Sequence, residues 1–461
     1  MTLMNRRQAL KHMLCASASS ALFTALAGKL SLAQAATRSS RRLLGDDYRA
    51  LVCVFQYGGN DALNMLVPRD AAGYATYSTS RSGLALPQAN LLQLSPSVPP
   101  SGGGSYGLHP GMQGLQSLFN TGKAAILANV GPLQYPITKA QYQAGSVPVP
   151  AQLFSHSDQQ VLWQMPTAEA ADRRGWGGRL ADLFFSSNPN QQLSMNISID
   201  GENVFQSGNS IVPYFVGQDG VDGIYFVNQE PWNAPRRAVF EALRDASYSH
   251  AMQREYANRV RRAMDNETMV NAALSGAPPL TVTFPDSSLG RQLRMVARLI
   301  SSRDALQMNR QIFFVAQGGY DTHAAQLADH PGLLSDLSAS MSAFYAAMGS
   351  LGVGSQVTAF TASDFGRTLT INGDGTDHGW GSHHFVVGDA VQGGRIVGQM
   401  PNLTVGGPDD ADWGQIIPTL AVDQYAATLA TWYGLSDSDR ALVFPNLSRF
   451  NSPNLGFMAA V

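Results

Sequence analysis

The chain has 461 residues, with 33 acidic and 31 basic side chains and a formal net charge of −2. This balance argues against a nucleic-acid-binding protein, which needs an excess of positive charge. The length exceeds one ordinary domain but suits a large α/β enzyme that keeps one sheet with insertions, and it provides ample chain for a core.

The first 35 residues have the pattern of a twin-arginine signal peptide. Arg6-Arg7 precede a weakly apolar stretch, 13–27, and Ala33-Gln34-Ala35 forms a small-residue cleavage site. An uncleaved anchor or an amphipathic transit peptide is less favoured, because about fifteen weakly apolar residues are short for a membrane span. We therefore expect export through the twin-arginine translocase and removal of residues 1–35, which leaves a periplasmic or extracellular protein with no stable membrane span.

After the signal, residues 36–48 are predicted to form a mobile lead-in, and residues 49–461 are predicted to form a single α/β domain. Removal of the signal takes away Cys15, so Cys53 has no partner for an intramolecular disulfide. We interpret Cys53 as a small buried hydrophobic residue, and stability must then come from the core.

Short apolar runs bounded by Gly or Ser predict buried strands of a parallel sheet, and apolar residues at helical spacing predict helices between them. The Pro/Gly/Ser-rich stretch 95–107 is predicted to be a surface loop or an active-site flap. The alternation of strands and helices favours a doubly wound α/β fold with a mainly parallel sheet. In chain order the predicted elements are strand 51–56, helix 110–122, strand 124–130, helices 155–165 and 175–185, strands 193–199 and 211–216, a charged helical region 235–273, helix 289–300, strand 311–316, helix 332–347, strands 356–361 and 385–387, and helix 422–435.

Three acidic residues follow predicted strands that lie far apart in the sequence: Asp61, Asp321 and Asp364. In parallel sheets ligands bind outside the carboxyl ends of the strands, on loops such as these. We therefore expect these acids to meet at one edge of one sheet.

Five of the nine histidines lie between residues 311 and 385, beside these acids and Asp377. Imidazole nitrogen favours zinc and related metals, and carboxylate oxygen also accepts manganese, magnesium or calcium, so the mixture predicts a divalent metal site. Asp377-His378 lies in a Gly-bounded loop that can turn both side chains toward one cation, and His383-His384 follows soon after. Alternatively, these side chains are hydrogen-bonding residues of a loop.

Other polar residues have two interpretations each. Ser155, beside His156, is either an N-cap residue or a nucleophile at a helix N-terminus that favours anionic groups, and capping is the preferred interpretation. Arg367 either clamps an oxyanion or pairs with Asp364. His109 and His330 each precede Pro at a predicted helix start, so we interpret both as structural.

Several segments together resemble the DUF1501 family of exported proteins, which is similar to the alkaline phosphatase and sulfatase superfamily. The resemblance spans about 51–434 and is weak between about 190 and 300. The segments that carry it are FQYGGNDALNMLVP (55–68), LHPGM (108–112), SHSDQQVLW (155–163), GGYDTH (318–323), SDFGRT (363–368) and GTDHGWGSHHFVVGDAVQGG (375–394).

The resemblance implies an alkaline-phosphatase-like fold and a metal-dependent hydrolase of phosphate or sulfate esters, acting on a small anionic substrate. It implies three catalytic residues, with Ser155 as the nucleophile, and a set of metal ligands for zinc, manganese, calcium or magnesium. The catalytic residues are Ser155, His156 and Arg367, and the ligands are Asp61, Asp321, His323 (or, more distantly, His330), Asp364, Asp377, His378 and His384 (or His383).

The sequence also departs from that pattern. Asp321-Thr322-His323 is shorter than the usual acid-to-histidine interval, and Asp364 stands where the family usually has Glu. No Cys/Ser-x-Pro-x-Arg motif is present, which argues against formylglycine sulfatase chemistry. The alternative function is a non-catalytic exported binding or scaffold protein that keeps the fold.

Overall fold

The structure is a computed structural model that describes residues 48–165 and 174–460. The predicted signal peptide, residues 1–35, and the predicted lead-in as far as residue 47 lie outside the described residues. No helix within the described ranges is both long enough and apolar enough to cross a membrane.

The described residues contain fourteen strands. These are β1 (Arg49–Gln56), β2 (Leu66–Pro68), β3 (Leu92–Gln93), β4 (Tyr106–Leu108), β5 (Ala124–Gly131), β6 (Asn196–Ser198), β7 (Tyr214–Phe215), β8 (Arg310–Gln317), β9 (Val357–Ser363), β10 (Arg367–Ile371), β11 (Thr376–His378), β12 (Ser382–Val387), β13 (Arg395–Val397) and β14 (Leu420–Ala421).

Twelve α-helices connect and cover them in the same part of the chain. These are α1 (Ala62–Met65), α2 (Ala71–Arg81), α3 (Gln113–Asn120), α4 (Lys139–Gln143), α5 (His156–Gln164), α6 (Trp176–Phe184), α7 (Ala234–Asp245), α8 (Ala251–Gly276), α9 (Ser288–Ser301), α10 (Gln326–Ser350), α11 (Val422–Tyr433) and α12 (Arg440–Val443).

The central sheet has nine strands, in the order β13-β5-β12-β9-β1-β8-β6-β7, with β14 also paired to β5. Every pairing in it is parallel except the two made by β12, which runs antiparallel to both β5 and β9. The predicted α/β class with a mainly parallel sheet is therefore confirmed. A hairpin of β10 and β11 and a small sheet of β2, β4 and β3 lie outside the central sheet.

The middle of the sheet is buried on both faces. All residues of β1 from Ala50 to Gln56 are buried, as is every residue of β8 and β9. Side chains of a strand alternate between the two faces, so continuous burial requires helices on both. Helices α3, α9 and α10 pack together as one covering group, and α5, α6 and α11 contact other parts of the sheet.

Some predicted elements differ from the observed ones. The helix predicted from residue 332 begins at Gln326, and Pro331 lies inside it. Proline removes a hydrogen bond to the carbonyl four residues earlier, but that carbonyl belongs to Leu327, which is exposed and can bond water. The charged region 235–273 is two helices, α7 and α8, rather than one.

The stretch 95–107 is exposed over most of its length, as predicted for a surface loop. Ser97 N donates to the carbonyl of Gly394, and Gly394 N donates to the carbonyl of Ala124 at the start of β5. This places Ser97 at the edge of the sheet where the parallel strands begin, whereas residues 106 and 107 at the other end of the stretch pair with β2 in the small sheet.

Candidate metal centre

Three central strands end side by side. Gln56 at the end of β1 is in register with Gln317 of β8 on one side and with Ser363 of β9 on the other. The loops that follow carry Asp61, Asp321 and Asp364, so parallel register alone brings these three loops to one edge, as expected.

The loops approach so closely that one position requires glycine. Gly58 has φ +113°, and a Cβ there would lie 2.4 Å from the backbone nitrogen of Asp321. Any larger residue would strain the backbone and separate the loop after β1 from the loop after β8.

Asp321 is the centre of a cluster of three histidines. Its Oδ1 lies 3.0 Å from Nε2 of His323 and 3.3 Å from Nε2 of His378. Its Oδ2 lies 3.4 Å from Nε2 of His156. His156 comes from the start of α5, whereas His378 comes from the end of β11 and His323 from the same loop as Asp321, so three separate segments of the chain meet at this carboxylate.

The His156 ring is held from behind by a buried carboxylate. Its Nδ1 lies 2.7 Å from Oδ2 of Asp364, and the same oxygen accepts from Gln160 Nε2 at 2.9 Å and from Gly58 N at 3.2 Å. The hydrogen bond to Asp364 raises the pKa of His156, against the opposing effect of burial. Asp364 is fully buried and its Oδ1 has no hydrogen-bond partner in the described residues.

The other two rings are anchored in the same way. His378 Nδ1 lies 2.7 Å from the carbonyl oxygen of Phe154, and His323 Nδ1 lies 3.0 Å from Oδ1 of Asp377. Burial lowers the pKa of His378. Phe154 has φ +72°, a left-handed conformation that is uncommon for a bulky residue, and this turn directs its carbonyl at the ring.

This anchoring decides which ring nitrogen faces the centre. A neutral imidazole that donates from Nδ1 to an oxygen keeps its lone pair on Nε2, the arrangement found in histidines that bind metals. Nε2 of His323 and Nε2 of His378 are only 2.9 Å apart. His156, Asp321 and His378 each offer a ligand atom within 4.8 Å of the other two, so they suit one cation.

Arg367 binds the carboxylate of Asp321 instead of facing the open side of the cluster. Its guanidinium is fully buried and donates to Asp321 Oδ1 at 2.5 Å, to the Gly58 carbonyl at 3.2 Å and to the carbonyl of Thr376. Burial raises the pKa of Asp321, but the hydrogen bond from Arg367 and the neighbouring charges hold it below its ordinary value. The structure thus pairs Arg367 with Asp321, whereas the sequence suggested pairing with Asp364 or an oxyanion clamp.

Asp61 lies behind the cluster. Its buried Oδ2 accepts hydrogen bonds from Arg81 of α2 and from Gln326. Gln326 Oε1 in turn accepts from Thr376 Oγ1 at 2.6 Å, next to Arg367. Asp61 is therefore linked to the centre through a chain of hydrogen bonds and does not contact the three histidines.

The structure does not bring His384 to the cluster. It is buried in β12, with its ring centroid 4.5 Å from that of Trp163 and 6.1 Å from that of Tyr425. Burial lowers its pKa to about 3. Its neighbour His383 accepts from the backbone N–H of Asn129 at 3.0 Å, so both are core histidines here.

Ser155 is the N-cap residue of α5, but its side chain does not bond the helix backbone. Its hydroxyl donates to Asp158 Oδ2 at 2.7 Å, and it directly precedes His156. His109 and His330 lie apart from the cluster, with His330 Nε2 2.8 Å from Oδ1 of Asn60.

Reasoning from the sequence missed five supporting residues: Arg81, Phe154, Gln160, Gln326 and Asn372. Asn372 Nδ2 donates to Asp377 Oδ1 at 2.6 Å. Only Gln160 had a usable signal, because it lies one helical turn after His156 on the same face of the predicted helix. Asn372 lies only five residues before Asp377, but no spacing rule marks that pair, and the remaining residues act through contacts with parts of the chain that lie farther away.

Comparison with known proteins adds a family and weak structural likenesses. The family model described as "Protein of unknown function (DUF1501)" matches residues 48–411, and no curated protein matches the chain. Ps i-CgsB in complex with k-i-k-neocarrahexaose is similar at 9% identity and a TM-score of 0.34, over 88% of this chain and 77% of that one. The PsFucS1 sulfatase from Pseudoalteromonas sp. has 9% identity and a TM-score of 0.34, over 93% and 74%. A putative sulfatase from Bacteroides thetaiotaomicron VPI-5482 has 11% identity and a TM-score of 0.31, over 85% and 71%. Likenesses this weak carry no argument about function.

Proposed function

Since this chain belongs to the DUF1501 family and turns three histidine nitrogens toward one carboxylate, we propose that it is a metal-dependent hydrolase of phosphate or sulfate esters. The fold would then be the alkaline-phosphatase-like one that the sequence resemblance implies. The observation that carries the proposal is the common orientation of the three rings. Each has Nδ1 on an oxygen acceptor and Nε2 directed at Asp321.

The donor set favours particular metals. His156, His378 and Asp321 would hold the cation, and His323 is placed to be a fourth ligand. Three nitrogens and one carboxylate suit zinc, and also manganese, better than calcium or magnesium, which prefer oxygen ligands. A divalent cation bound here would polarise the ester oxygen and lower the pKa of a water or of Ser155.

The surrounding residues have positioning roles in this proposal. Asp364 and the Phe154 carbonyl fix the His156 and His378 rings, and Arg367 fixes Asp321. A small anionic ester can approach from the open side, because the side chains of Asp321 and His323 remain 44% and 43% exposed.

Ser155 is the proposed nucleophile. Its hydroxyl already donates to Asp158, so Asp158 is placed to accept the proton as the oxygen attacks. Attack would form a bond from Ser155 Oγ to phosphorus or sulfur and break the bond to the ester oxygen, which would leave as the alcohol with the proton that Asp158 accepted. Water would then release the acid and restore Ser155.

Export belongs to the proposal as well. The N-terminal pattern that predicts passage through the twin-arginine translocase is read from the sequence, and it suits a protein that is loaded with its metal before it crosses the membrane. The protein would then work in the periplasm or outside the cell.

A second function is an exported metal-binding protein without turnover. The observation that favours it is that two buried arginines of this region already pair with carboxylates of the chain. Arg81 and Arg367 both donate to carboxylates of this chain, Asp61 and Asp321, rather than facing a substrate anion.

Metal analysis of protein purified without chelators, combined with hydrolysis of 4-nitrophenyl phosphate and sulfate, separates these functions. The hydrolase proposal predicts stoichiometric zinc or manganese and nitrophenol release that a chelator stops and added metal restores. Bound metal without hydrolysis of either ester would support the binding protein. Protein that neither carries nor takes up a metal would contradict both.

A further inference from the structure

Helix α7 packs against the turn at Tyr225–Val227 and against α8, but within the described residues much of its apolar side remains exposed. None of the residues in Ala234–Asp245 is buried, and Val239 and Leu243 are 63% and 59% exposed. These two residues and Phe240 lie at helical spacing on one side, the pattern of a helix that normally buries its stripe. A helix of this length gains most of its stability from such packing, so the exposed face indicates a missing partner.

Two turns before α7 extend the same apolar surface. Tyr225 and Phe226 are 76% and 55% exposed, and Trp232 is 67% exposed. Asn233 Nδ2 donates to the Tyr225 carbonyl at 3.1 Å, which fixes the turns against the start of the helix. We call Tyr225, Phe226, Trp232, Val239 and Leu243 the α7 patch.

The α7 patch contains both a groove and projecting side chains. The groove is lined by Phe226, Val227, Pro235, Val239, Phe240 and Leu243, together with Arg236. Tyr225 and Trp232, the two most exposed aromatic residues of the patch, lie in the turns beside it. A surface with a groove and large side chains next to each other can pair with a rotated copy of itself.

The size of the patch suits a specific interface. Its three aromatic side chains leave on the order of 400 Å² exposed, about half of the ~800 Å² that each partner buries in an ordinary complex. The aliphatic and arginine side chains around them supply further area. Trp, Tyr and Arg are also the residues that most often dominate binding energy.

The charged residues of α7 indicate which class of partner the α7 patch can bind. Along α7, Arg236 and Arg237 precede Glu241, and Arg244 follows it and pairs with Asp245 of the same chain at 2.7 Å. An anionic lipid surface or a nucleic acid would favour a single positive sign. Mixed signs instead allow an antiparallel pair of helices to place an arginine of one copy opposite an acid of the other.

We propose that the α7 patch is the interface of a two-fold symmetric homodimer. Each groove receives aromatic side chains from the turns of the other copy. The interface is remote in sequence from every residue of the candidate metal centre, so the proposal does not depend on the proposed function.

The test is the mass of the full chain, measured by light scattering and sedimentation through a dilution series in the micromolar range. The wild type should have twice the chain mass. Val239→Ser with Leu243→Ser should weaken dimerisation by roughly 100-fold or more, because both side chains line the groove. Val98→Ser with Val405→Ser is the matched control, since these residues are 46% and 45% exposed elsewhere, and it should remain dimeric.

The variants should remain folded, because the substituted residues are not buried and their replacement opens no cavity. Trp232→Ser, outside the helix, is a second variant that should also weaken the dimer, and circular dichroism should match the wild type in all variants. A monomeric wild type, or a dimer unaffected by the α7 and Trp232 substitutions, would overturn the proposal. So would a monomer that binds anionic vesicles through this patch, which would make a lipid surface the partner.

Discussion

The candidate metal centre and the α7 patch differ in how far their side chains are in contact with other groups of the chain. At the centre, every histidine ring and carboxylate contacts another group of the chain, and the supporting residues Asp364 and Arg367 are fully buried. At the patch, large apolar side chains face solvent without cover. The first is a region whose side chains are already held in place by contacts within the chain, whereas the second is a surface that gains further packing only when another molecule covers it.

The largest expected effect is at the centre itself. Asp321→Asn removes the negative charge toward which three Nε2 atoms point, so bound metal should fall below detection and ester hydrolysis should be lost. The fold should persist, because the carboxylate is partly exposed. Elemental analysis, a metal titration and a thermal melt measure these three outcomes. Normal metal content in this variant would remove Asp321 from the ligand set.

The next effect is on stability, behind the centre. Arg81→Met leaves the carboxylate of Asp61 buried without its ion-pair partner and should lower the free energy of unfolding by about 3–5 kcal/mol. Replacing both residues, as Arg81→Met with Asp61→Leu, should recover much of that loss. Arg259→Ala, which breaks an exposed pair with Glu255, is the control and should change little. Equal losses from the buried and exposed pairs in urea titrations would contradict this account.

The supporting carboxylates should have graded effects on metal affinity. Asp364→Asn should weaken binding by about 100-fold and Asp377→Asn by about 10-fold, within the range known for residues that orient metal-binding histidines. Asp364 is fully buried against His156, whereas Asp377 is 57% exposed beside His323. Calorimetric titration measures both, and the reverse order would show that burial does not set the strength of the support.

A buried carboxylate outside both regions gives a pH test. Burial raises the pKa of Asp423 in α11 to about 8, and its Oδ1 has no hydrogen-bond partner in the described residues. The folded state therefore binds more protons than the unfolded state between about pH 4 and pH 8, so this group's contribution to stability falls as pH rises through that window. Asp423→Asn should remove that decline, and unfolding titrations at several pH values compare it with the wild type. An unchanged pH profile would mean that Asp423 is ionised in the folded protein.

The smallest effect is expected at the α7 patch in the monomer. Val239→Ser should change the free energy of unfolding of dilute, monomeric protein by less than about 0.5 kcal/mol, because an exposed side chain loses no packing. Leu293→Ser in α9, a fully buried residue, is the contrasting control and should cost several kcal/mol. A large loss from Val239→Ser would show that the Val239 side chain is packed within its own chain.

The sequence predicted the strands of the sheet centre well. The apolar runs at 51–56, 311–316 and 356–361 correspond to β1, β8 and β9, because strands buried on both faces must be apolar throughout. It also predicted site residues of which the structure brings Asp321, His323, His378 and His156 together. Polar residues that directly follow such strands must lie at the edge of the sheet where the strands end, because parallel strands end together.

Other assignments failed where distant contacts decide. Asp61 and His384 have the right chemistry for ligands, yet Arg81 and Gln326 occupy the first, and Trp163 and Tyr425 enclose the second. No local sequence pattern distinguishes these two residues from the residues that lie in the cluster. The boundary between α7 and α8 was also missed, because both helices have similar charge and spacing.

The sequence by itself determined the α/β class, the edge of the sheet where polar groups gather and the residue types at that edge. These follow from apolar periodicity and from the rule that parallel strands end together. Only the tertiary structure decided which nitrogen of each histidine faces the centre, which carboxylates stand behind it and which helix keeps an uncovered face. Those features depend on hydrogen bonds and packing between segments that lie from tens to hundreds of residues apart, and the order of residues along the chain does not show which of them come into contact.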